Sequence, residues 1–196
     1  MSMLKSSNGE PVVLANDNEM KQNENLILSY IVVILIVSHK ANATPQDDKE
    51  FLEAHNKARV QAGMAPFTYD QTLADYANKH ALSHARDCAL KHSDGPYGEN
   101  LFWGNAAKSL KWSPKDAVYA WMKEQKYYNR KTNTCMPGQK CGHYTQIMWR
   151  DTKKIGCAKS NCNGRSTYIV CEYDPAGNYE GLSPFDKHDP FIYTQS

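Results

Sequence analysis

Two histidines and two glutamates are the side chains of this sequence that could most readily carry out chemistry together. They are His92, Glu99, Glu124 and His143. Two imidazole nitrogens and two carboxylate oxygens make a ligand set that suits zinc or another divalent cation. Because the four residues are spread over 52 positions, their spacing alone favours a simpler alternative, a hydrogen-bonded network in which carboxylates hold the imidazoles charged.

The first two of these residues lie on either side of a predicted turn. Residues 91–100 read KHSDGPYGEN, so an Asp-Gly-Pro sequence and Gly98 separate His92 from Glu99. These residue types favour turns and flexible backbone. A chain that reverses here can bring the carboxylate of Glu99 back towards the imidazole of His92.

Three other residues have suggestive spacing or chemistry. His80 and His84 are four positions apart, the spacing of a two-histidine metal face on a helix, but Ala81 stands where the zinc peptidase motif has glutamate. Ser93 lacks the G-x-S-x-G sequence that surrounds one kind of activated serine. We therefore interpret the two histidines as ordinary helix residues and do not assign a serine nucleophile.

Helical and strand patterns indicate how the chain would position these residues. Helices are predicted over 47–62, from 70 to about 91 and from 113 onwards, and short strands over 99–103, 155–158 and 167–173. Asp70 and Ser113 are suited to cap the second and third helices. Helices followed by short strands within one domain predict an α+β fold, with helices packed on an antiparallel sheet.

The first 43 residues have the pattern of an export signal. Residues 26–37, LILSYIVVILIV, form an apolar run shorter than the roughly 20 residues of a membrane span, and Ala-Asn-Ala at 41–43 fits a cleavage site. We expect 1–19 to be an upstream extension, with Met20 beginning a signal of ordinary length. An uncleaved signal anchor is the alternative. Cleavage after Ala43 leaves 153 residues, enough for one domain.

Six cysteines follow the predicted cleavage site, and they favour disulfides. An even number of cysteines in an exported chain predicts three bridges, and the sequence alone leaves fifteen possible pairings. A zinc–thiolate site is the alternative, but the paired C-x2-C spacing of such sites is absent from the sequence. After residue 43, 20 Lys and Arg and 17 Asp and Glu are scattered without long basic runs. This distribution argues against a nucleic-acid partner.

Several motifs together resemble the CAP superfamily, which groups cysteine-rich secretory proteins, antigens and pathogenesis-related proteins. In chain order they read EFLEAHNKAR, KHSDGPYGENL, CGHYTQIMW and CEYDPAGNY, and the resemblance extends over about 47–185. The plant pathogenesis-related protein 1 family is the most similar branch. The resemblance implies a CAP domain over 44–185, folded as a three-layer α-β-α sandwich with a central antiparallel sheet, and a C-terminal tail over 186–196.

The same resemblance implies a site and a set of bridges. It gathers His92, Glu99, Glu124 and His143 in one central cleft, where a divalent metal, zinc above all, could bind. It also implies three disulfides, and these would join Cys88 to Cys162, Cys135 to Cys141, and Cys157 to Cys171.

The function that the resemblance implies is defence. Family members are secreted in response to pathogens and some bind sterols, so we expect an extracellular, apoplastic monomer that acts against fungi or oomycetes by binding sterol or another lipid. The loop associated with sterol binding corresponds to Tyr128 to Cys135, where Arg130 replaces a usual aromatic residue and weakens apolar contact. No established catalytic motif is present. The enzymatic alternative is a metal-assisted hydrolase with Glu99 or Glu124 as general base.

A C-terminal signalling peptide is a further function that the resemblance suggests. In the family this peptide begins at the proline after a C-N-Y-x motif, and here cleavage between Asp174 and Pro175 would release 22 residues to act on a receptor. The sequence departs from the pattern at two positions, because Glu172 replaces Asn and Phe185 replaces the terminal Tyr.

Overall fold

The computed structural model describes residues 44–105 and 112–194, and the predicted export signal at 1–43 lies outside the described residues. The helices are α1 Pro45–Gln61, α2 Gln71–Ser83, α3 Pro114–Met122 and α4 Gly142–Ile147, with short 3₁₀ helices at Lys123–Tyr127 and Pro190–Thr194. The strands are β1 Thr68–Tyr69, β2 Gly98–Asn105, β3 Tyr128–Asn129, β4 Thr134–Cys135, β5 Lys154–Cys162 and β6 Ser166–Asp174. None of the helices within these two ranges combines the length and the apolar character needed to traverse a bilayer.

Four strands form the central sheet, in the order β1-β5-β6-β2. β5 and β6 make a long antiparallel hairpin, whose turn places Asn163 and Gly164 at positive φ angles of 45° and 72°. Gly adopts such angles freely, and Asn more easily than most other residues. β2 pairs antiparallel with β6, starting with Gly98 opposite Tyr173. The two-residue β1 pairs parallel with β5, so the sheet that the sequence predicts to be antiparallel is mixed at this one edge.

The two faces of the sheet belong to two separate cores. Since successive residues of a strand point to opposite faces, odd-numbered residues of β5 and of β6 share one face and even-numbered residues the other. The odd-numbered face packs against α1, α3 and α4, through residues that include Phe51, Trp121, Tyr144, Ile155, Ile169 and Tyr173. The even-numbered face packs against α2, through Ala77, Ala81, Ala158, Tyr168 and Val170. The predicted three-layer α-β-α sandwich is confirmed.

Two helices begin where the sequence predicts a cap. Asp70 Oδ1 accepts a hydrogen bond from the backbone N–H of Thr72 at 2.9 Å, and Ser113 forms a capping box with Asp116. Caps of this kind stabilise a helix by about 1 kcal/mol, because they satisfy N–H groups that have no partner within the helix. These local signals explain why the starts of α2 and α3 could be predicted.

The predicted end of the second helix, at about Lys91, is wrong. α2 ends at Ser83. Beyond it Cys88 and Asp94 adopt positive φ angles of 53° and 55°, which an α-helix does not allow. The chain after Ser83 therefore forms a loop, and His92 lies on this loop rather than on a helix.

Three disulfides connect the pieces that surround the sheet. Cys88 is bonded to Cys162 at the end of β5, Cys157 is bonded to Cys171 across the β5–β6 hairpin, and Cys135 is bonded to Cys141 just before α4. These are the pairs that the resemblance implies. The first bridge holds the loop of His92 against the sheet, and the last holds the chain that leads to His143.

Candidate functional site

The first histidine–glutamate pair is held at the start of the edge strand β2. His92 Nδ1 lies 2.6 Å from Glu99 Oε1, and the same oxygen accepts a hydrogen bond from the N–H of Ser93 at 3.1 Å. The side chain of Glu99 is 4% exposed, whereas that of His92 is 62% exposed. A carboxylate accepts at this distance only if Nδ1 carries the proton, so Nε2 is the ring nitrogen that remains for another partner.

The second pair joins the end of α3 to the start of α4. Glu124 lies in the 3₁₀ turn after α3, and its Oε1 is 2.6 Å from His143 Nδ1. Its Oε2 accepts from the N–H groups of His143 and Tyr144 at 3.0 and 3.2 Å. Burial raises the pKa of Glu124, but the hydrogen bond and charge of His143 together with these N–H groups outweigh it and hold the pKa below 4.5. Glu124 is therefore a charged partner of His143.

Both pairs lie beside one cleft. Its volume is about 520 Å³, and its lining includes His92, Glu99 and His143 together with Asn100 and Asn178. Glu124 stands behind His143, and the ring of Trp121 stacks on that histidine with an interplanar angle of 20°. The structure thus brings the four predicted residues to one region as two His–Glu pairs, with three of them at the wall of the cleft.

The pairs are not arranged as a ready-made N2O2 metal site. Within residues 44–105 and 112–194, no group of three or more His, Cys, Asp and Glu side chains is placed to hold a metal ion. Each glutamate is hydrogen-bonded to an Nδ1 atom instead. Such carboxylate–imidazole bonds orient histidines whose Nε2 atoms bind metal. These bonds leave the Nε2 atoms of His92 and His143 as the ring nitrogens available to a metal, and the four-ligand site stays a prediction.

A third carboxyl group lies next to the first pair. Glu172 faces Glu99 across the β2–β6 pairing and is completely buried. Burial, and then the charge and hydrogen bond of Glu99, raise the pKa of Glu172 to about 9. Neither of its oxygens, nor Glu99 Oε2, has an N–H or hydroxyl donor among the described residues. A neutral Glu172 has one proton, and donating it to Glu99 would give Glu99 Oε2 the partner that it otherwise lacks.

A buried chain of hydrogen bonds links the other side of the cleft to the core. Asn100 Nδ2 donates to the carbonyl of His143 at 3.1 Å and to the hydroxyl of Tyr173 at 3.0 Å. That hydroxyl lies 2.8 Å from His55 Nε2, while His55 Nδ1 donates to the carbonyl of Phe51. Burial lowers the pKa of His55 to about 4, so His55 is neutral and structural.

The histidines at 80 and 84, which the sequence indicates to be ordinary helix residues, lie close to the first His–Glu pair. His80 Nε2 donates to the carbonyl of Lys91 at 2.8 Å and lies 3.7 Å from Glu99 Oε2. The rings of His80 and His84 are 5.0 Å apart. His80 therefore fastens the loop beside His92.

The predicted lipid loop is the β3–β4 hairpin. The ring of Tyr128 is half-buried and packs against Tyr144 and Phe185. The guanidinium of Arg130 lies 3.8 Å from the centre of the Phe185 ring. The aromatic surface of this loop thus contacts the protein itself, and Cys135 at its end is bonded to Cys141.

The predicted processing point lies at the end of β6. Asp174 is opposite Lys154 in the sheet, and its carbonyl accepts from the N–H of Lys153 at 2.9 Å. The chain that begins at Pro175 continues along the protein, and Phe185 is 5% exposed in the core. The segment that would be released is therefore an integral part of the packed fold.

A disulfide-braced α-β-α sandwich with a His- and Glu-lined cleft defines a recognisable class of small domain. The family model "CAP: Cysteine-rich secretory protein family" matches residues 52–173. The chain belongs to the cysteine-rich secretory protein (CAP) family.

Similar proteins come from plants, and similar structures include a zinc complex. The chain is 40% identical to pathogenesis-related protein PRMS of Zea mays, over 82% of this chain and 95% of that protein. It is 42% identical to pathogenesis-related protein 1A of Nicotiana tabacum, over 82% and 93%. The crystal structure of NaASP2 with Zn²⁺ superposes with a TM-score of 0.59 at 26% identity, over 75% of this chain and 88% of that one.

Proposed function

We propose that this protein is a pathogenesis-related defence protein of the plant apoplast, a monomer that acts by binding rather than by catalysis. The names of the plant relatives at about 40% identity support the defence role. Three disulfides fit an oxidising, extracellular compartment. An antifungal or anti-oomycete effect is the expected outcome of such binding.

The ligand that the cleft fits best is a divalent cation, with zinc as the first choice. The observation that carries this proposal is the matched pair of hydrogen bonds, each 2.6 Å long, from a histidine Nδ1 to a glutamate. They fix the tautomers in which the Nε2 atoms of His92 and His143 can bind metal. Zinc accepts imidazole nitrogen readily and takes water at open positions, so two protein ligands in a wet cleft suffice for modest affinity.

Zinc calorimetry tests this site directly. We expect saturable heat with the wild-type protein and none with His92→Ala/His143→Ala, because both metal-binding nitrogens are lost. Glu124→Gln should weaken binding about tenfold to a hundredfold, since the imidazole of His143 loses its charged acceptor.

The matched control is His84→Ala, which removes a nearby histidine that is paired with Asp87 and with neither glutamate of the cleft. Its zinc affinity should stay within a few-fold of wild type. Equal heats from the wild type and the His92/His143 variant would refute the site.

A lipid is the second proposed ligand, and a groove between α1 and α3 supports it. The groove has a volume of about 640 Å³, and its lining combines apolar side chains, such as Ala54, Val118 and Met122, with six charged or amide side chains. Three of those six are lysines and one is a glutamate. Apolar side chains interspersed with cations suit a long apolar molecule that has an acidic head. This groove offers more apolar surface than the β3–β4 hairpin, where Tyr128 is already packed.

Filling the groove should weaken lipid binding. We expect Ala58→Phe to weaken binding of a labelled sterol or fatty acid at least about tenfold, because the new ring occupies the space of the ligand. Val60→Phe is the matched control, since Val60 lies on the same helix and is 61% exposed. Fluorescence titration measures both. Saturable binding of unchanged strength to Ala58→Phe would rule out the groove.

The enzymatic alternative has less support. A metal-assisted hydrolase would use Glu99 or Glu124 as general base, yet both carboxylates are occupied by histidines and, for Glu124, by two backbone N–H groups. Cleavage between Asp174 and Pro175, with release of a signalling peptide to a receptor, also stays a prediction. Release would have to disrupt the contacts of the C-terminal tail with the rest of the domain.

A further inference from the structure

The disulfide between Cys135 and Cys141 forms part of the wall of the cleft. Cys135 ends β4, and Cys141 caps α4, whose second residue is His143. Lys140 and Cys141 line the cleft together with His143. The five residues between the two cysteines, 136–140, are all exposed. The bridge therefore closes a solvent-exposed loop onto the helix that carries His143.

The three disulfides differ in their exposure to solvent. Both cysteines of the 157–171 bridge are at most 1% exposed, and Cys162 is completely buried in the core beneath α2, against which Cys88 packs. In contrast, Cys135 is half-buried on an exposed hairpin, and Cys141 borders the cleft. A thiolate that attacks Cys135 expels a sulfur at the wall of a wet cleft. An attack on Cys88 must instead expel a thiolate within an apolar core, where it is a poor leaving group.

The chain around the Cys135–Cys141 bridge is positively charged. Residues 125–150 contain five Lys and Arg and no Asp or Glu, and Lys140 directly precedes Cys141. In contrast, the exposed Asp87 directly precedes Cys88. Neighbouring cations favour a thiolate and attract an anionic reagent, whereas a neighbouring carboxylate does the opposite. An anionic thiol should therefore attack this bridge in preference to that of Cys88.

The fold can survive the loss of the Cys135–Cys141 bridge. The bridge spans 6 positions of the chain, compared with 14 and 74 for the other two. Because a small ring restricts the unfolded chain less, opening it favours unfolding about threefold and about thirtyfold less than opening the other two. Glu124 Oε2 also holds the start of α4, since it accepts from the N–H groups of His143 and Tyr144. Reduction should therefore release the loop 136–140 and leave the central sheet intact.

We propose that the Cys135–Cys141 bridge is a reducible clasp, which an anionic thiol such as glutathione opens while the other two bridges stay closed. A thiolate forms a bond to Cys135 Sγ and breaks the Sγ–Sγ bond, and Cys141 leaves as a thiolate that takes up a proton. A second thiol then displaces Cys135 from the mixed disulfide. The bridge gains two electrons and two protons, and the two thiols are oxidised to a disulfide. The open clasp loosens the cleft wall beside His143 and weakens metal binding there, a consequence that rests on the proposed function.

Timed alkylation tests the clasp with the protein expressed from the complete chain. The folded protein is exposed to glutathione, quenched with N-ethylmaleimide at intervals and digested for mass spectrometry. We expect Cys135 and Cys141 to be labelled at least about tenfold faster than the other four cysteines. Lys140→Gln should slow this labelling several-fold, whereas Lys79→Gln, the matched control on the exposed face of α2, should not. Equal labelling of all six cysteines, or earlier labelling of Cys88, would overturn the proposal.

Cys135→Ser/Cys141→Ser reproduces the open clasp without free thiols that could themselves bind metal. Amide hydrogen exchange over 136–142 should be at least about tenfold faster than in the wild type, with exchange in β5 and β6 unchanged. Zinc affinity should fall several-fold in the same variant. Unchanged exchange over 136–142, or unchanged zinc affinity, would show that the bridge does not control the cleft wall. Absence of zinc binding by the wild type would refute the metal proposal alone, because labelling and hydrogen exchange do not involve zinc.

Discussion

Glu172→Gln is expected to make the protein more stable at neutral pH, by an amount that grows as the pH rises. In the folded protein, burial followed by the charge and hydrogen bond of Glu99 raises the pKa of Glu172 from 4.5 to about 9. Between these values the unfolded chain releases a proton that the folded protein keeps. The free energy of unfolding of the wild type should therefore fall by up to about 1.4 kcal/mol per pH unit.

The sign of this effect follows from the two protonation states. Below pH 4.5 the carboxyl is protonated in both the folded and the unfolded chain, so it adds no pH dependence, and above about pH 9 it is ionised in both. Glutamine has no such proton, and its amide N–H can still donate to Glu99. The stabilities of wild type and Glu172→Gln should hence diverge by about 3 kcal/mol between pH 5 and pH 7.

Urea unfolding at a series of pH values measures the divergence. Glu180→Gln serves as the control, because Glu180 is an exposed carboxylate of the same C-terminal region. The free energy of unfolding of Glu180→Gln should change with pH as that of the wild type does. If the free energy of unfolding of Glu172→Gln also changed with pH as that of the wild type does, Glu172 would have the same pKa in the folded and the unfolded chain. The contact between a neutral Glu172 and Glu99 would then have to be discarded.

The parts of the fold that depend on local signals could be predicted from the sequence. The capping residues Asp70 and Ser113 mark the starts of two helices. The Asp-Gly-Pro turn brings His92 Nδ1 within 2.6 Å of Glu99 Oε1. The β-prone runs before and after Asn163 form the central hairpin. In each case a few adjacent residues carry the information, so tertiary structure does not alter the outcome.

The parts that depend on pairing between distant segments could not be predicted. Glu172 is next to Glu99 only because of the register of β6 against β2, which no local pattern specifies. The role of His55 depends likewise on Tyr173. A buried glutamate within the apolar run TYIVCEY was the available signal, since a charged residue is almost never fully buried without a partner. The brief helix α4, only six residues long, is too short for a periodic pattern to reveal.

The C-terminal tail is expected to stay attached even if the chain is cut after Asp174. Phe185 packs against the rings of Tyr128 and Tyr144, and its carbonyl accepts from Arg150 Nε at 2.7 Å. Eleven residues follow Phe185, so the tail also extends beyond the point where the family's peptide ends. Release of the peptide must disrupt all of these contacts.

The residues after Phe185 add a second attachment. Asp151 Oδ2 accepts from the N–H of His188 and from the hydroxyl of Tyr193, both at 3.0 Å. The ring of His188 stacks on Trp149 with centres 4.7 Å apart, and Trp149 Nε1 donates to the hydroxyl of Tyr193. The tail is therefore fixed at two places, and loosening one of them should expose the processing point.

Phe185→Ala should destabilise the protein by about 3 to 5 kcal/mol, because it removes a large buried ring. Proteolysis that requires local opening follows the population of the open form, so the variant should release a fragment beginning at Pro175 at least about tenfold faster. Mass spectrometry after gel filtration, with each protein incubated in apoplastic fluid, distinguishes free from retained fragment. Phe191→Ala is the control, as Phe191 is 64% exposed in the same tail. Equally fast release from wild type and Phe185→Ala would mean that packing does not restrain the tail. If release is slower from the wild type than from Phe185→Ala, the tail must unfold before this chain can give rise to a peptide signal.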